Sequence, residues 1–291
     1  MIWISILARI FANPCSNVLQ KLLTRESAHP LFVICATHAL LSIAVAPALL
    51  FSADELPAEF WTNIAVCTLL NVAGNSLLVQ AVKLSDLSVI GPINAYKAIV
   101  SLLPGAVLLG ELPGVGGLSG MLLIFAGTVF LADRDPTQLR SRPYLRLFQD
   151  RGVRYRLAAL VLSASEAVFL KKALVVSSPL TTFAYWSALG FVASIVAVLL
   201  LGRTRLGEEL RVFGKCKSTY LMLFLTTGVM QLSTIVTLEQ LQVGYALALF
   251  QTSSLVSVVL GHRFFAEPNF RRRLGGSLVM VAGAMLIVVA R

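Results

Sequence analysis

The chain has 291 residues, of which 57% are apolar and only 13% are charged, and its mean hydropathy is +0.83. A water-soluble core cannot account for so apolar a composition, so the composition excludes a soluble globular protein and predicts one that lies mostly in a membrane. The net charge of +10 would indicate nucleic-acid binding in a soluble protein. Here the placement of the charges matters more than their sum, and we expect no nucleic-acid partner.

The apolar residues lie in long continuous stretches, each close to the roughly 20 residues that cross a hydrocarbon core as a helix. The stretches do not alternate in polarity, and a helix pairs its backbone N–H and C=O groups within one segment, as lipid requires. We therefore predict an all-α polytopic membrane protein with ten transmembrane helices. The predicted spans are 2–23, 30–51, 60–82, 87–109, 114–132, 155–175, 179–201, 219–240, 243–262 and 274–290.

One long stretch of the sequence occurs twice, because residues 80–132 and 236–288 align without a gap. In both copies an apolar run ends at a Glu, and a Pro-containing turn and a Gly-rich apolar run follow. Such a duplication is the usual mark of a membrane transporter. We predict a first five-helix repeat at 1–132, a cytoplasmic interfacial linker at 133–154 and a second five-helix repeat at 155–291. Coinciding positions are Ser101 with Ser257, Glu111 with Glu267, Gly120 with Gly276 and Gly127 with Gly283.

The basic residues occupy alternate connections between the predicted helices. Most of the 24 Lys and Arg follow predicted helices 1, 3, 5, 7 and 9, whereas the other connections carry mainly Asp and Glu. By the positive-inside rule the basic connections are cytoplasmic, and both termini lie outside. These connections follow the first and third helices of the first repeat but the second and fourth of the second repeat. The two repeats are therefore predicted to be inverted relative to each other.

Polar side chains fall on one side of predicted helices 1 and 3. At about 100° per residue, the polar positions of helix 1 share a single stripe, and those of helix 3 follow the same one-sided pattern. We expect both stripes to face the interior of the protein. They consist of Arg9, Asn13, Asn17 and Gln20 in helix 1 and of Asn71 and Asn75 in helix 3.

Predicted helix 4 is the most informative span. The pair Gly91-Pro92 interrupts regular backbone bonding near its start, and Asn94, Tyr96 and Lys97 follow at mid-depth. The second half contributes further polar and aromatic residues at similar depth, and its hydroxyl side chains are weaker signals because they often bond to their own backbone. These residues are Glu166 in helix 6, Trp186 in helix 7, Gln231 in helix 8, and Tyr245 and Gln251 in helix 9.

Several ionisable residues lie too deep to be simple helix ends. A central charge costs about 2.5–3.5 kcal/mol on insertion scales, so such residues face a partner or a water-filled pathway. Lys97 either holds the carboxylate or phosphate of a substrate or forms a structural ion pair with Glu166. Glu166 is a candidate for carrying a proton. Arg9 faces inward or snorkels to the outer interface, and His38 is interpreted as an uncharged histidine bonded to a neighbouring carbonyl.

The sequence predicts neither a catalytic site nor a metal site. Glu111 and Glu267 occupy equivalent positions, but each ends a helix before a Pro-containing turn, where a carboxylate can cap the N-terminus of the next helix. Inversion of the repeats places them on opposite sides of the membrane, so we interpret both as structural or gate-hinge residues. The sequence contains no GxxxxGK[ST], HExxH or GxSxG motif. We expect a protein that is not an enzyme and has no cofactor, with proton coupling left open.

These features resemble the drug/metabolite transporter superfamily, in particular its EamA family of ten-helix proteins with two five-helix repeats. The shared motifs are LLGE at 108–111 and FFAE at 264–267, which close the fourth helix of each repeat, and the Gly-rich fifth helices that follow. The resemblance implies a central cavity lined by helices 1, 3, 4, 6, 8 and 9, with helices 5 and 10 at the periphery. It also implies alternating access and, in many relatives, export of amino acids or other small metabolites.

We therefore expect a secondary transporter of a bacterial-type inner membrane that exports a small polar metabolite, an amino acid or related carboxylate, as a monomer or homodimer. One alternative is a lipid or lipid-linked flippase, which needs a cavity open laterally between helices. The other is a non-transporting scaffold or receptor, in which the polar residues pair among themselves. The predicted substrate-binding residues are Asn13, Asn17, Asn71, Asn75, Asn94, Tyr96, Lys97, Glu166, Trp186, Gln231, Tyr245 and Gln251.

Overall fold

The computed structural model describes residues 2–51, 55–94, 96–109, 115–128, 149–201 and 206–289. Within these ranges the chain is helical and has no β-strand, in agreement with the predicted all-α fold. The helices are α1 (Ile2–Arg25), α2 (Pro30–Phe51), α3 (Ala58–Leu84), α4 (Leu87–Ile93), α5 (Tyr96–Leu109), α6 (Val115–Thr128), α7 (Arg151–Val175), α8 (Pro179–Leu201), α9 (Leu206–Lys215), α10 (Lys217–Gln240), α11 (Val243–Phe250), α12 (Ser253–Phe265) and α13 (Phe270–Val289).

In the described part of the chain, six segments are long and apolar enough to cross a membrane. Five of them belong to α1, α2, α3, α8 and α10, and the sixth joins α11 to α12. Helices α7 and α13, of 25 and 20 residues, coincide with two further predicted spans. The count of ten transmembrane helices stays a prediction, because 110–114 and 129–148 lie outside the described residues. Those gaps contain Glu111 and most of the predicted linker.

Predicted helices 4 and 9 are each divided in two. Helix α4 ends at Ile93, one residue after Pro92, which has no N–H to donate, and the amide of Asn94 bonds to Gly91 O at 3.0 Å. The second break follows α11, where the side-chain amide of Gln251 donates to Leu247 O at 2.6 Å. A polar side chain here occupies a backbone acceptor near the break. Both breaks lie close to the cavity described below.

Two segments that the sequence predicts as connections contain helix. Helix α7 begins at Arg151, so the end of the predicted linker and the start of the second repeat belong to one helix. Helix α9 lies in the basic connection before α10, and its buried Glu209 accepts the backbone N–H of His29 at 3.1 Å. That carboxylate lies at the start of α2, where the first N–H groups have no intrahelical partners.

The long helices pack in pairs. Helix α1 packs along α10, α2 along α8, α3 along α7, α4 against α12, and α6 against α13. Small residues let these backbones approach closely, as is usual in membranes. A Cβ atom added at Gly283 of α13 would lie 2.6 Å from Gly120 O of α6, and one at Gly74 of α3 would lie 3.3 Å from Leu162 Cβ of α7.

Glu267 joins separate elements at the basic end of the molecule. Its Oε1 accepts from the ammonium of Lys21 on α1 at 2.9 Å and from Leu87 N at 2.8 Å, and its Oε2 accepts from Ser88 N at 2.8 Å. Glu267 therefore caps α4, which precedes it in the chain by more than 170 residues. Burial alone would raise the pKa of this carboxyl, but the hydrogen bonds from Ser88 and Lys21 outweigh burial and lower the pKa.

A second ion pair lies beside the first. The guanidinium of Arg273 on α13 binds the Asp86 carboxylate at 2.9 Å and the Ser88 hydroxyl. We call Lys21, Asp86, Ser88, Glu267 and Arg273 the basic-end network. It connects α1 and the start of α4, in the first half of the chain, with the turn before α13 and the first turn of α13 in the second half.

Candidate functional site

A polar cavity of about 90 Å³ lies between the helices of the two halves. An ordered water needs about 10–15 Å³ of such volume, so the space accommodates several waters or a small polar solute. Helices α1, α2, α3, α5, α7, α8, α10 and α11 contribute lining residues, whereas α6 and α13 contribute none among the described residues. Its polar lining consists of Arg9, Asn13, Ser16, Asn17, Gln20, Thr37, His38, Asn71, Asn75, Asn94, Lys97, Arg156, Ser163, Glu166, Trp186, Thr227, Gln231 and Thr234.

Most of the predicted site residues lie in this lining. They come together from both halves of the chain: Asn13, Asn17, Asn71, Asn75, Asn94, Lys97, Glu166, Trp186 and Gln231. Tyr96, Tyr245 and Gln251 do not line the cavity. Tyr96 packs partly buried in an apolar cluster beside Val89 and Ile93, and Gln251 is buried at the break between α11 and α12.

Glu166 lies in a chain of hydrogen bonds along one wall. The amide of Asn71 donates to Glu166 Oε1 at 3.0 Å, and Asn71 Oδ1 lies 3.2 Å from His38 Nε2. Because Asn71 Oδ1 can only accept, we assign the proton to His38 Nε2. The His38 ring lies 4.6 Å from that of Trp186, and Gly190 leaves space for it, since a Cβ there would overlap His38 Nδ1. The wall thus holds one carboxylate in a fixed orientation.

Arg9 lies in the cavity rather than at the outer interface. Its Nε donates to Thr234 Oγ1 of α10 at 2.8 Å, and its guanidinium lies 5.1 Å from the ring centroid of Phe250. Only 9% of Arg9 is exposed, and within the described residues its Nη1 has no hydrogen-bond partner. A buried charged donor without a partner is costly, so this nitrogen is available for a ligand or water in the cavity.

Arg156 is a cavity residue, although its position in the sequence predicts only a basic connection. It is 6% exposed on α7, and its Nη2 donates to Asn94 Oδ1, at the break after α4. Its Nε has no partner among the residues described. The signal that finds it is helical spacing, because Arg156, Ser163 and Glu166 fall within one stripe of α7 at about 100° per residue.

Lys97 extends from the first turn of α5 into the cavity lining. Among the described residues it has no hydrogen bond and no ion pair within 4.0 Å, so it forms no direct pair with Glu166 in this structure. Its charge does interact electrostatically with Glu166, Arg9 and Arg156 over longer distances. Lys97 therefore interacts with each of the other three charged groups in the described lining.

The cavity carries more positive than negative charge. Its lining contains Arg9, Lys97 and Arg156, but Glu166 is its single carboxylate in the part of the chain that the structure describes. Side-chain amides supply both donors and acceptors around these groups, and Gln231 Nε2 is a further buried donor without a partner in the described residues. Over the same residues, no cluster of three or more His, Cys, Asp or Glu could hold a metal ion. The excess of cations and the donors without partners favour recognition of an anion.

Comparison with known proteins agrees with the fold. A solved crystal structure superposes on 97% of this chain and 96% of its own with a TM-score of 0.61, and at 16% identity this likeness shows the fold alone. No curated protein matches the sequence. The EamA-like transporter family matches residues 2–132 and 151–289. Those two ranges cover nearly the whole chain, and the chain therefore belongs to the EamA-like transporter family, as a multi-pass membrane transporter of the drug/metabolite transporter superfamily.

Proposed function

We propose that this transporter exports a small polar metabolite that carries a carboxylate, and that Lys97 binds that carboxylate. The observation that carries the proposal is an ammonium without a direct partner among the described residues, in a polar cavity that has excess positive charge. The amides of Asn13, Asn75 and Gln231 line the same cavity and would orient the rest of the solute. Efflux rather than uptake rests on the resemblance alone.

We further propose that the chain forms ten transmembrane helices in two inverted five-helix repeats, with both termini outside a bacterial-type inner membrane. The packing supports two related halves. Helix α1, the first of its repeat, packs along α10, the third of the other repeat, and α3, the third of its repeat, packs along α7, the first of the other. The pair α4 with α12 and the pair α5 with α11 are related in the same way. Alternating access would then be a rocking of one half against the other around the cavity.

Glu166 is the candidate for coupling transport to protons. It lies in the cavity lining, and its carboxylate accepts from Asn71, which in turn contacts His38. A carboxyl that changes its protonation state beside Lys97 would alter the charge that the cargo meets. If the protein transports its substrate in vesicles without changing the pH of the lumen, Glu166 does not couple transport to protons.

Ligand-induced thermal stabilisation of purified protein tests the proposal. Amino acids, organic anions, nucleosides and cationic drugs would be screened against the parent, Lys97→Ala and the control Lys172→Ala, which changes a lysine outside the cavity lining. At a hundredfold excess over Kd a ligand adds about 2.7 kcal/mol of stability. We expect carboxylates to stabilise the parent and the control but not Lys97→Ala.

Three outcomes would contradict this assignment. If Lys97→Ala responds to carboxylates as the parent does, Lys97 is structural. Stabilisation by lipids alone would favour a flippase. A protein that no small solute or lipid stabilises, and that moves none in vesicles, would be a scaffold or receptor.

A further inference from the structure

The charges of the cavity specify more than a carboxylate. Arg9 comes from α1, Lys97 from α5 and Arg156 from α7, so three separate elements each direct one cation to the same space. Lys97 interacts electrostatically with both arginines and with Glu166. Convergence of like charges is unfavourable unless an anion lies between them.

The one carboxylate that the described residues place in the lining cannot balance the three cations. Glu166 interacts with Lys97 and Arg9 and offsets one positive charge, which leaves an excess of two. The guanidinium groups stay charged at any physiological pH. An uncompensated charge is costly inside a membrane, so the closed cavity is most stable when its occupant supplies the missing negative charge.

The cations also have donor capacity for two anionic groups. Arg9 Nη1 and Arg156 Nε are buried and have no partner in the described part of the chain, and the Lys97 ammonium has no direct partner there either. Arg9 and Arg156 are held in place by Thr234 and Asn94, so their remaining N–H groups are fixed before any ligand binds. Donors fixed in advance lose little entropy on binding.

Resting on the proposed function, we propose that the cargo carries two negative charges, as a dicarboxylate does, and that Arg9, Lys97 and Arg156 bind its two carboxylates. A cavity of about 90 Å³ restricts the cargo to a small molecule. A neutral or cationic solute leaves the excess charge in place, and a monoanion removes only half of it.

The test compares dianions with monoanions of the same shape. Oxalate, malonate, succinate and glutarate would each be titrated against their monoamides in thermal-shift measurements on the purified protein. We expect at least one dianion to bind tenfold or more tighter than its less charged counterpart, which corresponds to about 1.4 kcal/mol.

A variant that removes one positive charge from the cavity provides a second test. Arg156→Gln keeps an amide donor for Asn94 Oδ1 but removes one positive charge, so the preference for the dianion should fall at least fivefold. Arg154→Gln is the matched control, because Arg154 lies two residues away on α7 and is exposed outside the cavity. The control should keep the preference of the parent. If Arg156→Gln does not fold, Arg9→Gln and the parent titrations decide the outcome.

The possible failures are distinguishable. Equal binding of each dianion and its monoamide would overturn the two-charge proposal and leave a carboxylate transporter. Binding restricted to neutral or cationic solutes would overturn both the two-charge proposal and the proposed function. An Arg154→Gln protein that loses the preference as Arg156→Gln does would show that general surface charge, and not the cavity, sets it.

Discussion

Asn71 connects two ionisable side chains in the wall of the cavity. Its Nδ2 donates to Glu166 at 3.0 Å while its Oδ1 lies 3.2 Å from His38 Nε2, so one amide fixes the orientation of both groups. The neighbouring Asn75 donates only to the backbone carbonyl of Asn71 on its own helix, at 3.1 Å. Asn71 therefore orients side chains on other helices, whereas the hydrogen bond of Asn75 stays within its own helix.

Truncation of Asn71 should therefore destabilise the protein more than truncation of Asn75. Asn71→Ala leaves a buried carboxylate without this donor, and a hydrogen bond to a charged group contributes about 1.5–3 kcal/mol. Asn75→Ala is the matched control, with an expected loss below about 1 kcal/mol, because Asn71 O still accepts a backbone N–H within the helix. Denaturant titration of both variants in detergent measures the difference. Equal losses would show that Asn71 only packs.

The residues of the site are predictable to the extent that they break an apolar pattern. Asn13, Asn71 and Lys97 stand out because a polar side chain in a long apolar span is costly unless it has a partner or faces water. Arg156 does not stand out, because it lies next to a run of arginines, where the positive-inside rule accounts for any basic residue equally well. Helical spacing separates the two arginines only once the course of α7 is known, because Arg156 then shares a stripe with Ser163 and Glu166 whereas Arg154 is exposed.

At the scale of elements, the two divided helices differ in how visible their breaks are. The break after α4 is predictable from Gly91-Pro92. The break after α11 has no proline. Gln251 aligns with Ala95 of the first copy, so the alignment of the two copies alone predicts where this break lies. The basic-end network is beyond prediction, since nothing in a single sequence pairs Lys21 with Glu267 across 246 positions.

Loss of the Glu267 carboxylate should weaken the connection between these elements. Glu267→Gln leaves the buried ammonium of Lys21 without its charge partner, and breaking a buried pair in this way costs about 3–5 kcal/mol. The pKa of Glu267 is lowered in the folded protein, so its contribution is complete above the ordinary carboxyl pKa of about 4.3 and is lost as the pH falls below it. Melting temperatures of parent and variant should therefore converge at acidic pH.

Two glycine variants provide the control for that experiment. A Cβ at Gly261 would overlap Glu267 Oε2, so Gly261→Ala should displace the carboxylate and lower the melting temperature as Glu267→Gln does. Gly275→Ala meets no atom within 4 Å and should be neutral or stabilising. A parent and a Glu267→Gln variant that keep the same separation from pH 7 to pH 3 would contradict the role of this carboxylate.

At the scale of the whole molecule, the excess positive charge of the cavity bears on how the transporter returns without cargo. Alternating access requires the cavity to pass through an occluded state, loaded in one direction and empty or reloaded in the other. The proposed dianion and Glu166 would together neutralise Arg9, Lys97 and Arg156 during passage. When the empty cavity closes, its excess charge is buried without compensation, at a cost of about 2.5–3.5 kcal/mol per charge.

Exchange of dianions across the membrane should therefore be faster than their net movement. One uncompensated charge slows the empty return by about two orders of magnitude, because each 1.4 kcal/mol is a factor of ten. In proteoliposomes, release of labelled succinate into buffer that contains unlabelled succinate should exceed release into empty buffer at least tenfold. Arg156→Gln lowers the excess charge of the empty cavity and should narrow that ratio, while Arg154→Gln should preserve it. Equal release with and without external succinate would mean that the empty cavity closes freely, with water or small ions compensating the three cations.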